Sequence, residues 1–309
     1  MPHLPDEKFL SPSTTGDLIG RAIRVYRANI VRWAPLLVWP TICVLVGRVD
    51  YQYFFVTMQK GATASGGYGM ISGALMVLFG KWLLAQKLLS FVRLSTGFSQ
   101  TLSEAEAYLK KRRWTMIGLL ILGAIMLVAV VILWALEIVA SGVLIKFLPI
   151  PGMLATFFGV VGMSVSTIFI WFALGLSLSA LACETGGAGD LLARGFTMAS
   201  RHFFRTMFCG FVVYLTVNLL ATPLWMPVMA GGMFEYLRSG PIAASQGLPI
   251  HWQIFVAAWE TLIDMVTQPI LCLAYGFYYY DLRLRNEGVD VLESLEALKL
   301  KQNALLDIP

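Results

Sequence analysis

The stretch GFYYYDLRLRNEG, from Gly276 to Gly288, ends a long apolar run with three tyrosines and then turns to alternating charged and apolar residues. A tyrosine ring favours the boundary between hydrocarbon and water, because its body is apolar and its tip is polar. The preceding run, from residue 252, exceeds the roughly 20 residues that cross a bilayer. We therefore predict that the chain leaves a membrane here, with Tyr278, Tyr279 and Tyr280 at the headgroup level.

The rest of the chain has the same membrane character. Of its 309 residues, 58% are hydrophobic and 13% are charged, whereas a soluble domain has about 25% charged residues. The apolar runs do not alternate as strands of a transmembrane barrel would. The sequence predicts an all-α membrane protein with about six transmembrane helices, at 34–57, 69–94, 114–138, 152–183, 207–232 and 252–280.

Basic residues predict the orientation of these spans. Lys and Arg are concentrated before the first span, between the second and third, between the fourth and fifth, and after the sixth, whereas the opposite loops contain only Lys60, Lys146 and Arg238. Cytoplasmic loops contain the excess of basic residues. We expect a multi-pass protein of a prokaryotic cytoplasmic (inner) membrane, with both termini cytoplasmic.

Two of the basic segments are related to each other. GDLIGRAIRVYRANIVR begins at Gly16 and GDLLARGFTMASRHFFR begins at Gly189, with an Asp in the second position of each. Their polar residues recur at helical spacing opposite an apolar side, which is typical of amphipathic helices lying in the headgroup layer. SEAEAYLKKRRW, from Ser103, is a weaker third copy. We predict an in-plane helix on the cytoplasmic side for each copy, and hence an internal repeat.

The predicted organisation has three parts. Residues 1–16 form a flexible tail that lacks the apolar core of a signal peptide. Residues 17–285 form a single six-span membrane domain, with repeat units at about 17–95, 99–183 and 187–285. Residues 286–309 form a cytoplasmic tail that is partly helical.

The ending YYYDLRLRNEGVD and the opening GDLIGRAIRVYRAN resemble a large group of bacterial polytopic membrane proteins of unsettled role. Some of them are labelled "glycerophosphoryl diester phosphodiesterase membrane domain". The resemblance covers most of the chain and implies a six-span architecture. It does not imply the enzyme of that label, which needs a soluble barrel with metal-binding carboxylates and histidines. The histidines here, at 3, 202 and 251, are not near a carboxylate cluster.

Charged residues inside the spans are candidates for function, because such residues are costly in hydrocarbon. The candidates are Arg48, Asp50, Lys81, Glu260 and Asp264, whereas Lys87 lies closer to the cytoplasmic end of its span and can extend towards the headgroups. Counted from the outer ends of their spans, Arg48 matches Glu260 in depth and Lys81 matches Asp264. Two interpretations stay open: structural ion pairs that join the sixth span to the first two, or a proton or solute pathway.

A second candidate group lies where the sixth span ends. Asp281 and Arg283 leave the membrane at the level of the in-plane helices, and Glu184 ends the fourth span there. We predict that Asp281 pairs with an arginine of an in-plane helix, such as Arg21 or Arg194, and that Arg283 meets Glu184. Together these residues would clasp the last span to the cytoplasmic side.

No motif indicates an enzyme. The four cysteines are isolated, and the sequence lacks a phosphate loop, a nucleophile elbow or a metal-binding pair; we expect neither a metal nor a cofactor. The basic loops are explained by orientation and by anionic lipid headgroups, so no nucleic acid is expected. The sequence favours a non-enzymatic scaffold or accessory subunit with protein partners in the membrane. The alternative is a small-solute or lipid transporter that uses the intramembrane charges.

Overall fold

The structure is a computed structural model that describes residues 13–59, 63–244 and 249–287. The described residues form eight helices and no strand. The helices are α1 (Thr15–Gln59), α2 (Thr63–Ser95), α3 (Leu102–Lys111), α4 (Arg113–Phe147), α5 (Pro149–Cys183), α6 (Ala188–Arg201), α7 (Phe203–Ala244) and α8 (Ile250–Glu287). Six of them are long and apolar enough to cross a membrane. The predicted all-α fold with six spans is confirmed.

Each predicted span lies within one of the six long helices, which extend beyond it. The candidate spans are Thr15–Met58, Gly67–Ser95, Arg113–Phe147, Pro149–Cys183, Phe203–Phe234 and Ile250–Glu287. The helices are longer than the apolar runs because backbone hydrogen bonding continues through the polar residues at their ends. Single residues separate some neighbours: Arg112 divides α3 from α4, and Leu148 divides α4 from α5.

The short helices α3 and α6 begin with specific caps. At the start of α3 the Thr101 hydroxyl accepts from the Glu104 backbone N–H, and the Glu104 carboxylate accepts from the Thr101 N–H, each at 3.3 Å. At α6 the Asp190 carboxylate accepts from the N–H of Gly187 at 3.1 Å. Such bonds satisfy N–H groups that have no partner inside the helix. As predicted, Asp190 and its counterpart Asp17 lie in the first turns of their helices.

The first repeat copy differs from the prediction of a separate in-plane helix, because α1 continues without a break from this copy into the span. In the second copy the chain turns at His202, and the Thr206 hydroxyl donates to the free carbonyl of Ala199 at 3.2 Å. The position aligned with Thr206 in the first copy is Trp33, which has no hydroxyl to cap a helix end. Its ring instead stacks on Phe91, with centroids 4.3 Å apart.

The described residues form two compact units. The first unit contains Ile19–Phe91 and Val213–Ala274. The second contains residues 13–18, Val92–Val212 and residues 275–287, so α1, α2, α7 and α8 contribute to both. In the second unit α5 packs against both α4 and α6. These units do not follow the three predicted repeats, which stay a prediction.

Candidate functional site

The intramembrane charges of the first unit form one connected cluster. Asp264 Oδ2 accepts from Lys81 Nζ at 2.9 Å and from Arg48 Nη2 at 3.1 Å. Arg48 Nη1 lies 3.4 Å from Glu260 Oε2 and 3.3 Å from the Thr261 hydroxyl. Both predicted pairs, Arg48 with Glu260 and Lys81 with Asp264, are present. The link from Arg48 to Asp264 and the contact with Thr261 were not predicted.

Glycines on α1 and α2 bring the two cations together. A Cβ on Gly47 would lie 2.6 Å from the backbone nitrogen of Val77, and one on Gly80 would lie 2.7 Å from the backbone nitrogen of Val44. The helix backbones therefore touch at these points, as small residues allow in membrane helices. Arg48 and Lys81 directly follow the two glycines. The close crossing thus lets both side chains reach one carboxylate, Asp264.

This cluster balances two cations with two carboxylates. Its four side chains are 25–41% exposed, so it lies at the edge of the first unit and not in its core. The fifth predicted member, Asp50, is half-buried on α1 and contacts no basic residue within the described part of the chain. The geometry therefore brings together Arg48, Lys81, Glu260 and Asp264 and leaves Asp50 out.

In the second unit, Asp281 is the centre of the contacts at the end of α8. Its side chain is 1% exposed. It accepts from the backbone N–H of Ser13 at 2.8 Å, from Arg205 Nη2 at 2.7 Å and from Arg285 Nε at 3.0 Å. Three donors satisfy the buried charge, and they join the residues before α1 to α7 and α8.

The arginine that bonds Asp281 from another helix is Arg205, whereas the prediction named Arg21 and Arg194 as examples. Arg205 lies in the first turn of α7, immediately after the chain turns at His202. Arg194 is engaged elsewhere, in the contacts of Glu184. Arg21 lies on α1 in the first unit. The distribution of charges along the sequence does not reveal the turn at His202, and this turn decides which arginine reaches α8.

Glu184 belongs to a ring of alternating charges, hereafter the four-charge ring: Glu184, Arg194, Glu287 and Arg283. Arg194 Nε lies 2.6 Å from Glu184 Oε2, and Arg194 also bonds Glu287. Arg283 Nε lies 3.5 Å from Glu184 Oε1 and 2.9 Å from Glu287 Oε2. The predicted contact of Arg283 with Glu184 is therefore present. The ring joins the end of α5, the middle of α6 and the end of α8.

The three tyrosines of the opening stretch are core residues of the second unit, and their level in the membrane stays a prediction. Tyr278 and Tyr279 are 2% and 0% exposed, and Tyr280 is 9% exposed. The Tyr278 hydroxyl lies 3.0 Å from that of Thr206, and the Tyr279 hydroxyl donates to Glu184. The hydroxyls of Tyr278 and Tyr279 are thus satisfied by protein groups and not by water.

The positive charge of Arg194 is stabilised by its contacts with Tyr279, Glu184 and Glu287. Burial acts to lower the pKa of the Arg194 guanidinium, but the Tyr279 hydroxyl and the carboxylates of Glu184 and Glu287 more than offset it and hold the pKa above its ordinary value. An arginine so surrounded stays protonated. The four-charge ring thus keeps its cation and acts as a permanent connection between helices.

Sequence reasoning missed two further arginines of this unit, Arg93 and Arg112. Arg93 donates to the Ala182 carbonyl at 2.7 Å, and its guanidinium lies 3.6 Å from the centre of the Tyr108 ring. Arg112 donates to the carbonyls of Glu184 and Gly186 just after α5. Carbonyls at a helix end need such donors. Both arginines belong to basic segments that we interpreted only as orientation signals.

The comparisons with known proteins add no relative. No family model, no curated protein and no solved structure matches this chain. Within the residues that the structure describes, no group of three or more His, Cys, Asp or Glu side chains has the arrangement of a metal site. The charged clusters and the exposed surfaces of the spans are therefore the features of the molecule that can indicate its function.

Proposed function

We propose that this protein is a non-enzymatic integral membrane scaffold or accessory subunit of a larger membrane assembly. The observation that carries the proposal is the pairing inside the first unit, where Arg48, Lys81, Glu260 and Asp264 bond one another. A transport pathway needs charges that exchange partners during the cycle, whereas a rigid support gains from charges that stay paired. Six candidate spans with no large additional domain in the described residues agree with a supporting role.

The proposal includes the membrane in which the protein lies, its orientation and the group of proteins that it resembles. We place the protein in the cytoplasmic membrane of a prokaryote with both termini cytoplasmic, because the basic residues are concentrated at one end of the spans. The resemblance to the "glycerophosphoryl diester phosphodiesterase membrane domain" group agrees with this proposal, because it implies a six-span membrane architecture. Anionic headgroups are the expected lipid contacts of its exposed Lys and Arg residues.

The test is extraction from native membranes in a mild detergent, followed by sizing and mass spectrometry of the proteins that co-migrate. Stoichiometric co-migration with a defined complex supports the accessory subunit and identifies its process. Migration as a lone monomer or homo-oligomer contradicts it. As a matched control, the same extraction is made from cells that express an unrelated six-span protein at equal abundance, which corrects for incidental micelle partners.

A transporter is the second candidate, and the exposure of the charged cluster favours it. Glu260 is 41% exposed and Lys81 is 34% exposed, so other atoms of the protein leave part of the cluster uncovered, as a solute pathway requires. In this case Asp264→Asn abolishes substrate flux in reconstituted vesicles, because it removes the carboxylate that Arg48 and Lys81 share. A scaffold instead shows no specific flux in either form.

A further inference from the structure

One carboxylate of the second unit is not accounted for by any of the clusters above. Glu137 is the only charged residue of α4 between Trp114 and Ile145, and α5 contains no charged residue at all. The α4–α5 hairpin is thus an almost uncharged pair of long helices with a single acid in it. A charged side chain within apolar helices is costly unless it is paired, and is usually functional.

The Glu137 carboxylate lies over Gly159 of α5. A Cβ built on Gly159 would lie 1.9 Å from Glu137 Oε1 and 2.7 Å from Oε2. The side chain of Glu137 therefore fills the space that any larger residue at 159 would occupy. This defines the Glu137 notch, formed by Glu137 and Gly159. Because Gly159 has no side chain, the Glu137 carboxylate can lie between α4 and α5.

Two polar atoms of α4, one on Glu137 and one on Trp134, have no hydrogen-bond partner among the described residues. Glu137 Oε2 is covered and has no hydrogen-bond partner among the described residues, and the same is true of the indole Nε1 of Trp134. Residues three apart lie on the same side of a helix. α4 thus contains an acceptor and a donor, one turn apart on the same side, that are both covered and lack partners within the described residues. A covered polar group without a partner destabilises the structure that contains it.

The cation nearest in the hairpin cannot supply the missing partner. Lys146 is nine residues beyond Glu137, which places it about 13 Å further along α4 and about 180° around the helix axis. It is also exposed. In the first unit, Arg48 and Lys81 already bond their own acids. The partner of Glu137 must therefore come from another source than these three cations.

The surface around the notch is open and apolar. Only 17% of the span window of α4 and 11% of that of α5 is buried, compared with 39% for α1 and α2. Leu133 and Leu136 on α4 are 60% and 61% exposed, and Phe158 on α5 is 67% exposed. A Cβ on Gly162 would meet nothing within 4 Å. Such a face can accept the side of another helix along its length.

We propose that the α4–α5 hairpin binds a transmembrane helix of a different protein whose Lys or Arg pairs with Glu137. This inference rests on the proposed function as an accessory subunit and names the chemistry of its partner. The basic side chain supplies the donor that Glu137 lacks, and a carbonyl or hydroxyl of the same helix accepts from Trp134. The apolar face on either side excludes water from the pair, which strengthens it.

Charge matching favours a different protein over a second copy of this chain. Two copies inserted in the same direction bring equal levels of α4 together. Lys146 of a second copy would then lie about 13 Å from the level of Glu137, beyond the reach of its side chain. A copy would also bring a second unpaired Glu137 to the interface, and two like charges repel.

The experiment uses the purified full-length protein in phosphatidylcholine vesicles with a labelled synthetic Leu/Ala helix of about 24 residues as the probe. One series of peptides has a single Lys moved by one residue at a time, and the reference peptide has Leu throughout. Energy transfer reports binding. We expect the best Lys register to bind roughly five- to tenfold more tightly than the reference, and Glu137→Gln to remove most of this preference.

Matched glycine variants test the notch itself. Gly159→Ala forces the carboxylate out of its place and should reduce the Lys preference, whereas Gly162→Ala adds a methyl group in open space on the same helix and should not. The control for polarity is Leu136→Gln, which leaves Glu137 intact and should keep the preference. Circular dichroism of each variant establishes that the helices are formed.

Three results would overturn the inference. They are equal binding of the Lys and Leu peptides in every register, a Lys preference that survives Glu137→Gln, and Glu137-dependent energy transfer between labelled copies of the protein itself, which would assign the face to a second copy. The inference and the proposed function fail separately. Co-migration with a native complex without any Lys preference contradicts only the inference, and a Glu137-dependent preference without co-migration contradicts only the proposed function.

Discussion

Arg205 Nη2 and Asp281 Oδ2 lie 2.7 Å apart, although 76 residues separate them in the sequence. The carboxylate is almost fully buried and the guanidinium is 26% exposed. The pair joins the start of α7 to the end of α8, and the Ser13 carbonyl accepts from the same Arg205 Nη2 at 3.0 Å. One ion pair thus holds three separate parts of the chain in the second unit.

We expect Asp281→Asn to destabilise the protein by about 3 kcal/mol, because it leaves Arg205 and Arg285 without a countercharge in a buried site. The measurement is thermal and denaturant unfolding in detergent micelles. The matched control is Asp190→Asn, which changes an exposed carboxylate that caps α6 and should cost about 1 kcal/mol or less. Equal losses for the two variants would mean that the Asp281 pair adds nothing beyond a surface cap.

Arg112→Lys should loosen the segment between α5 and α6. The guanidinium reaches the carbonyls of Glu184 and Gly186 at once, and the single ammonium of lysine cannot reproduce that fork. We expect faster amide hydrogen exchange around residues 184–191 with no change in the charge of the protein. Arg113→Lys is the control, since Arg113 contacts the Trp114 ring, at 5.6 Å, and bonds no carbonyl among the residues that the structure describes. Unchanged exchange in Arg112→Lys would contradict this role.

The contact between α5 and α6 gives a prediction with an internal control. A Cβ on Gly195 would lie 2.1 Å from the Ser177 hydroxyl and 2.8 Å from the Ser177 backbone nitrogen. Gly195→Ala must therefore push the two helices apart and should cost roughly 1–3 kcal/mol. On the same helix a Cβ on Gly189 meets nothing within 4 Å. Gly189→Ala should be neutral or stabilising by up to about 1 kcal/mol in the same unfolding assay. Similar losses in both variants would refute the close contact.

These cases show which parts of the fold can be predicted from the sequence. Hydropathy and length are local properties, so all six spans were predicted. The depth of a residue within its span can also be counted from the sequence, and this depth correctly paired Arg48 with Glu260 and Lys81 with Asp264. The rotation and closeness of helices are not local. Whether a glycine such as Gly80 faces lipid or another backbone depends on the packing of the whole unit.

The partner of Asp281 was missed for a related reason. The choice between Arg194 and Arg205 depends on the turn at His202, which the repeat pattern does not show, because the aligned position in the first copy stays helical. The basic residues Arg93 and Arg112 were interpreted as an orientation signal. That interpretation is compatible with their bonds to helix-end carbonyls, but charge patterning alone cannot distinguish an arginine in water from one bonded to a carbonyl.

The proposed orientation predicts which loops are accessible from outside the cell. In a variant without the four native cysteines, Leu148→Cys should react with a membrane-impermeant maleimide in intact cells, because this turn between α4 and α5 lies away from most basic residues. Gln100→Cys, before α3, should react only after the cells are permeabilised. Both positions are exposed, so access to the reagent and not burial decides the result. The opposite labelling pattern would reverse the topology.

The charged cluster of the first unit should behave as a set of structural pairs. Asp264→Leu removes the carboxylate that Arg48 and Lys81 share, and we expect a loss of about 2–3 kcal/mol in stability. Adding Lys81→Met should restore part of this loss, because it removes the cation left without a partner, with a coupling energy on the order of 1–3 kcal/mol. Denaturant unfolding of the two single variants and the double variant measures the coupling.

Asp50→Leu is the control for this cycle, since Asp50 has no basic partner among the described residues; it should not reduce stability. Strictly additive effects of Asp264→Leu and Lys81→Met would show that the 2.9 Å contact between the two side chains contributes no stability. That result would also weaken the scaffold proposal, because charges that do not stabilise one another need another reason to lie within the spans. A flux assay on the same variants would then be decisive, since a transporter loses its activity when Asp264 is replaced.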